Sequence, residues 1–369
     1  MSDALFHLGL THRTAPLALR ELLRCDPARA AWLLDQLAPL ARERLVLSTC
    51  ERFEIYAFGA DHAADRWFQT IAQTLDVADV ELRAGAQILR GQDAARWFLR
   101  VAAGLESRIV GEPHILGQVR QGFLTATQRG TAGPMLSALG RAAIHTGKRV
   151  RHETAINTAG RSIATLTADQ IEEDFGVLRD RTVVILGTGT LASDLAVQLS
   201  ARRAAVMVVG RDARRAAALA GKFRGEGFAL DQLSGALLRS DAAVACTSSA
   251  EFLIDRAMVE RHPRRPLRLW DLSVPRNIDP TIAGMRDVSL THLEDIVPAT
   301  VRRSAGADAA ARIVEEELSR FIEWRQARAA APCIADLIRT SYDAATGTRL
   351  VAAALLHAGI VRLKTQVAA

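Results

Sequence analysis

The chain has 369 residues, 49% hydrophobic and 24% charged, with 47 lysines and arginines against 41 acidic residues, a net charge of +6. That length suits two or three domains with cores of their own. No apolar run reaches the roughly 18 residues of a membrane span, and the amino terminus lacks a basic-then-apolar signal, so a soluble, cytoplasmic protein is expected. The basic balance fits an anionic partner such as nucleic acid; an arginine-rich genomic bias explains it equally well. Cys25, Cys50, Cys246 and Cys333 are scattered without a CxxC pair, which argues against a zinc site or a disulfide framework. Cys25, Cys246 and Cys333 read as structural thiols.

In chain order, residues 1–155 mix short strands and helices. "LFHLGLTH" reads as a strand and "PARAAWLLDQLAPLARE" as a helix. "RLVLS" is a second strand, which breaks at "TCER" and resumes at Ile55. "DAARWFLRVAAGLESRIVGE" reads as a helix with a glycine break. His12 and Arg13 fall on a loop after the first strand. Residues 156–303 alternate strand and helix in the pattern of a parallel α/β sheet. From 304 to 369 the chain reads as helical, with an apolar stripe in "ADAAARIVEEELSRFIEWRQARAA" and a break expected at Pro332. Such a stripe packs on a second copy of the chain or caps its own subunit.

The strand Val183–Leu186 runs straight into "GTGTLA". Gly187 permits a tight turn, Gly189 lets a pyrophosphate approach the backbone, and Ala192 fills the third small position where helix packs on strand. With a strand before and a helix after, this is a dinucleotide-binding signature. The next strand ends "VVGRDARRA". Arg211 stands where an NAD site carries an acid, so NADPH is favoured. Asp212 offers a ribose ligand if the register differs by a residue or two.

A dinucleotide domain beside a cysteine in a separate domain has a chemical logic. A thiolate takes an acyl group as a thioester, which hydride then reduces to an aldehyde. Arg52, two residues beyond Cys50, either raises the thiolate fraction or holds a substrate carboxylate in a bidentate fork.

"GLTHRTAPLALRE", "STCERFEIY", "GLESRIVGEPHILGQVRQGF" and "DLSVPRNIDP", in this order around the nucleotide motif, resemble the glutamyl-tRNA reductase family over about residues 5–330. The resemblance implies a multi-domain α/β protein. Residues 1–155 form a mixed α+β catalytic, aminoacyl-tRNA-binding domain. Residues 156–303 form a Rossmann-type NADPH-binding domain. Residues 304–369 form a long spinal helix and a shortened helical dimerisation domain. The implied activity is NADPH-dependent reduction of glutamyl-tRNA to glutamate-1-semialdehyde through a cysteinyl thioester, the first step of five-carbon tetrapyrrole (porphyrin) synthesis. The implied partners are glutamyl-tRNA, a second copy in a homodimer and a downstream aminomutase. Carried over residue by residue, Cys50 is the nucleophile. Thr49, Arg52, Ser107, Glu112 and Gln118 contact the substrate. Gly187, Gly189, Thr190, Arg211, Thr247 and Ser248 hold the cofactor, and no metal is implied.

The sequence departs from the family pattern at several places. Glu51 replaces an asparagine, Phe53 a threonine, Trp97 a histidine and His114 a glutamine. Ala192 replaces the third glycine of the loop, and Gly210 an asparagine. Glu51 raises the Cys50 pKa if its carboxylate turns inward. Trp97 is a core aromatic or a wall of the pocket. His114 is a packing residue or a source of the acid. The helical stretch before "LVAAALLHAGIVRLK" is about 20 residues short of the family's. Two alternatives stand beside the main reading: a divergent paralogue reducing a different aminoacyl-tRNA to an amino aldehyde, and a non-catalytic relative that binds tRNA or NADPH.

Overall fold

A computed structural model describes residues 2–60, 63–157, 162–263, 266–296 and 306–344. Strands β1 (Ser2–Thr11), β2 (Ala41–Ser48), β3 (Arg52–Ala60) and β4 (Gln87–Arg90) form an antiparallel sheet in the order β2-β3-β1-β4. Helices α1 (Leu17–Leu22) and α2 (Pro27–Gln36) lie between β1 and β2, and α3 (Ala64–Leu75) and α4 (Asp79–Gly85) between β3 and β4. Then come α5 (Gly91–Ala102), α6 (His114–Gln128) and α7 (Pro134–Glu153).

Strand alternation gives this sheet two different faces. Phe53, Ile55 and Ala57 join Phe6, Leu8 and Leu10 in one core. Tyr56, Leu45 and Leu47 join Phe98 and Leu99 of α5 in another. On that second face Arg52 and Glu54 are also buried, and they pair with each other at 3.0 Å.

Two helices are shorter than the sequence suggests. The α2 helix starts on an Asp26 cap, whose carboxylate accepts from the Arg29 N–H at 2.7 Å, but it ends at Gln36. A 3-10 turn at Ala38–Leu40 carries Pro39, and the chain from Ala41 is drawn into pairing with β3. The α5 helix ends at Ala102 because Gly104 turns to φ +78, and the "LESRIVGE" part of that reading folds as turns.

After α8 (Ile163–Phe175) the chain alternates β5 (Thr182–Leu186), α9 (Thr190–Ala201), β6 (Ala205–Gly210), α10 (Ala213–Gly221), β7 (Glu226–Ala229), α11 (Leu233–Leu238) and β8 (Ala242–Ala245). Then follow α12 (Arg256–Glu260), β9 (Leu267–Asp271), β10 (Val288–His292) and α13 (Leu293–Ile296). All six strands are parallel, in the order β10-β9-β8-β5-β6-β7. The order reverses between β5 and β8, which opens a crevice at their carboxyl ends, the usual ligand position in such sheets.

Helix α14 (Ala307–Ala344) returns to the first unit. Ala310, Ile313, Val314, Leu318 and Phe321 bury its apolar stripe in the core that holds α5 and α7, so this stretch is covered by its own chain. The backbone stays helical through Pro332, where the sequence predicts a break; an interior proline removes one hydrogen bond and can kink a helix without ending it. The segment "LVAAALLHAGIVRLK" lies outside the described residues. Among the described residues no helix is long and apolar enough to cross a membrane.

Gly111 has φ +86, and a Cβ there would lie 2.5 Å from the Ile156 carbonyl oxygen. Gly111→Ala is therefore expected to lower the free energy of urea unfolding by about 1–3 kcal/mol. Gly117→Ala on α6, where a Cβ meets nothing within 4 Å, is expected to leave it unchanged or raised.

Candidate active site

The β2–β3 connection is a tight turn. The Thr49 N–H donates to the Arg52 carbonyl at 2.8 Å, and the Glu51 N–H donates to the Thr49 hydroxyl at 3.1 Å. This fixes Cys50 at the apex, where it packs against the apolar core of the second unit. Burial pushes the Cys50 thiol up to about 12, with Glu51 and Glu112 adding to the rise and Arg24 and Arg20 opposing it. The resting thiol keeps its proton.

Arg52 is occupied by a carboxylate of its own. It is fully buried, its Nη1 donates to Glu54 at 3.0 Å and its Nη2 to the Glu106 carbonyl at 2.5 Å. Only its Nε lacks a partner. Glu54 also accepts from the Tyr56 hydroxyl at 2.6 Å and the Trp97 indole N–H at 3.0 Å, and these donors with Arg52 hold its pKa below the usual carboxylate value despite burial. Trp97 is thus a polar partner of this cluster as well as a packing residue. Phe53 faces the other core and lines no part of the turn.

Glu51 turns inward. Its carboxylate accepts from the Arg108 backbone N–H at 3.0 Å and from Arg108 Nε at 3.3 Å. His12 Nδ1 lies 3.9 Å from it, and burial with the surrounding arginines lowers the His12 pKa to about 3. Arg13 pairs with Glu106 at 2.7 Å. The segment Glu106–Arg108 therefore lies along the cysteine turn. Between those two contacts sits Ser107, 2% exposed, with its hydroxyl unpartnered. Burial and the neighbouring Glu51 push the Glu112 carboxyl up to about 8, so it is protonated at neutral pH. Among the described residues no hydrogen bond ties Gln118, half-buried on α6, to the turn. His114 lies 3.0 Å from Asp194 on α9.

The cofactor candidates meet in one cleft of about 710 Å³ at the carboxyl ends of β5, β6 and β8, lined by Gly187, Gly189, Thr190, Arg211, Thr247 and Ser248. Gly187 has φ +124, and a Cβ there would lie 2.8 Å from the Cys246 carbonyl oxygen. At Gly189 a Cβ would meet nothing within 4 Å, and no side chain caps α9, so the amides of its first turn face the cleft. Asp212 is committed elsewhere: its Oδ1 caps α10, accepting from the Arg214 and Arg215 N–H groups at 2.9 and 3.2 Å. Arg211 is exposed and has no ion pair among the described residues. These residues fit a phosphorylated dinucleotide: uncapped amides for the pyrophosphate and a free guanidinium beside the ribose position.

Charged contacts join the two units. Arg20 donates to the Cys50 carbonyl at 2.5 Å and to Glu294 after β10. Arg108 lies 3.6 Å from the same Glu294. Arg276, in the loop that Asp271 organises by accepting from three backbone N–H groups, makes a two-pronged pair with Glu21 at 2.8 Å. Arg20 and Arg108 fall inside the quoted motifs without a role of their own there, and Arg24 and Glu294 fall outside them. Their partners lie far away along the chain, and no spacing announces them.

The family profile "Glutamyl-tRNAGlu reductase, N-terminal domain" matches residues 8–154, and "Shikimate / quinate 5-dehydrogenase" matches residues 169–299. The chain is 34% identical to the glutamyl-tRNA reductase of Syntrophotalea carbinolica, covering 91% of this chain and 79% of that one. It is 32% identical to the glutamyl-tRNA reductase of Acidothermus cellulolyticus, over 90% of this chain and 73% of that one. The solved glutamyl-tRNA reductase from Methanopyrus kandleri aligns with a TM-score of 0.50 at 27% identity, over 99% of this chain and 92% of that one.

Because Glu51 ranks first among the charges that raise the Cys50 pKa, Glu51→Gln is expected to speed alkylation of Cys50 by iodoacetamide at pH 8 by up to about tenfold, the effect of one pKa unit. Mass spectrometry of the labelled peptide reads the rate.

Proposed function

The chain belongs to the glutamyl-tRNA reductase family, and on that premise we propose that it reduces glutamyl-tRNA to glutamate-1-semialdehyde with NADPH, through a thioester on Cys50, as the first step of five-carbon tetrapyrrole synthesis. The observation that carries the reading is the similarity to reductases over 91% of the chain. It is supported by a cysteine turn packed against the nucleotide-binding unit.

The residues divide the work as follows. Glu112, whose charge is felt at the Cys50 thiol, is the proposed proton acceptor. Glu112, once ionised, takes the thiol proton as the sulfur attacks the aminoacyl carbonyl. The C–S bond forms, the ester C–O bond breaks, and Glu112 returns the proton to the departing tRNA hydroxyl. Ser107 offers its unpartnered hydroxyl to the acyl group, and Thr49 holds the turn that aims the sulfur. Arg52 and Gln118 complete the substrate side, Arg52 by holding the Glu54–Tyr56–Trp97 cluster beneath the turn. Gly187, Gly189 and Thr190 hold the pyrophosphate, Arg211 the 2′-phosphate, and Thr247 and Ser248 the nicotinamide side. Bound there, NADPH supplies the hydride that reduces the thioester to the aldehyde. The basic arginines give tRNA binding that weakens with salt. The homodimer and the downstream aminomutase are part of the same proposal. Any dimer contact falls outside the stripe up to Phe321, which is already covered.

Purified protein is expected to oxidise NADPH with charged glutamyl-tRNA and to form aldehyde, and Cys50→Ser to abolish both. No oxidation by the wild type with this substrate overturns the reading. The pH profile of single-turnover tRNA release carries its own sign. Below pH 8 Glu112 gains its proton, so its base form falls about tenfold per unit and the rate with it; above about 8 it is ionised and the rate levels off. In Glu112→Gln the rate is expected to drop by about a hundredfold or more and to keep climbing with pH toward the Cys50 pKa, itself lowered by loss of the Glu112 charge.

A further inference from the structure

The arginines around the cysteine turn are paired with carboxylates, with one exception. Arg20 and Arg108 meet Glu294 and Glu51, and Arg276 meets Glu21. Arg24 has no carboxylate partner among the described residues. Its Nη1 donates to the Ser48 carbonyl at 2.8 Å, an uncharged acceptor. Asp26, the nearest acid in the chain, is committed to capping α2. A half-buried guanidinium with no counter-charge is electrostatically incomplete, and an anion placed beside it recovers the cost of its desolvation.

Arg24 belongs to the link between α1 and α2 in the cysteine-bearing unit. It nevertheless lines the same cleft as Gly187, Gly189, Thr190 and Arg211. It thus reaches across from one unit into the nucleotide crevice of the other. The hydrogen bond to Ser48 ties it to the strand end two positions before Cys50, and its charge is felt at the thiol. It thus faces the cleft from the cysteine-bearing side. Arg211 and Arg215 enter it from the nucleotide-binding unit, after β6.

We infer that Arg24 is a cofactor-binding residue supplied across the cleft, and that it clamps the dinucleotide pyrophosphate from the side opposite the amides of α9. The inference rests on the reading of this cleft as a dinucleotide site. A guanidinium can donate to two phosphate oxygens at once while its remaining donor keeps the Ser48 carbonyl. The bound cofactor then becomes an ionic bridge between the units and holds Cys50 over the reactive end of the dinucleotide.

The pyrophosphate is common to NADH and NADPH, which gives a discriminating test. Equilibrium binding of each dinucleotide to the full chain, without tRNA, is followed by quenching of tryptophan fluorescence in wild type, Arg24→Gln, Arg24→Lys and Arg211→Ala. Arg24→Gln is expected to weaken both dinucleotides by about tenfold, leaving their affinity ratio at the wild-type value. Arg24→Lys recovers part of the loss, and the deficit shrinks as salt rises. Arg211→Ala shifts the ratio instead. Wild-type binding of both dinucleotides by Arg24→Gln, or loss of NADPH alone, overturns the inference. A wild type that binds neither dinucleotide overturns the reading of the cleft on which it rests. Unchanged far-ultraviolet circular dichroism of the variants separates lost binding from lost folding.

Discussion

Arg20 is the buried charge on which the arrangement of the two units turns. It is 2% exposed, and its donors go in three directions: Nε to the Ala15 carbonyl at 3.3 Å, Nη1 to the Cys50 carbonyl at 2.5 Å and Nη2 to Glu294. A buried guanidinium is tolerated only when such donors are satisfied and a carboxylate balances the charge. Satisfying this one therefore fixes the loop after β1, the cysteine turn and the end of the second sheet relative to one another. The Arg276–Glu21 fork repeats the constraint from the adjacent residue of α1. The cysteine turn packs against the nucleotide-binding unit because a short helix of one unit is pinned by charge to two segments of the other.

The same close packing sets the protonation states at the site. His7 and His12, the histidines of the first strand and loop, are held neutral at about 4 and about 3 by burial; surrounding arginines add to this at His12, while at His7 the Glu54 charge opposes it and Arg52 adds to it. Neither can deliver a proton near neutral pH. The Cys50 thiol is raised and so is Glu112, which leaves the carboxyl as the group that changes state close to physiological pH. Desolvation is the largest cause in all four cases. The division of roles follows from packing of the units more than from any single ion pair. A thiol that keeps its proton at rest is also slow to oxidise, which suits a nucleophile needed only when substrate is bound.

What the sequence made legible was local. The strand pattern on either side of "STCER" gave the turn at Cys50, and the strand–glycine–helix order gave the β5–α9 crossover, because both rest on short-range periodicity and turn chemistry. Helix ends were misjudged where a tertiary contact won. Residues from Ala41 that carry a helical pattern are claimed by pairing with β3, and Gly104 unwinds the end of α5. The helix runs on through Pro332 because an interior proline can kink a helix without ending it. Arg24, Arg108 and Glu294 could not be singled out, since each acts through a partner on another element. Arg52 was noticed for its place beside the cysteine, yet strand alternation turns it to the α5 face, where Glu54 claims it.

This last point bears on the positions where the chain departs from its family. Phe53 faces the core on the other side of β3, so the larger side chain is taken up by packing with Phe6, Leu8 and Ile55. Trp97 replaces a smaller polar ring but keeps a donor, and that donor goes to Glu54, the carboxylate that neutralises Arg52. Glu51 adds a negative charge next to the nucleophile, and Arg108 and the Arg108 backbone amide absorb it. Each change is thus matched by a partner within the fold, and none adds an unpaired acid at the turn or removes a counter-ion from Arg52. A pocket rebuilt for an apolar aminoacyl group would instead be expected to lose charge near the cysteine. The arrangement keeps both members of each pair, so the charge balance at the turn is preserved.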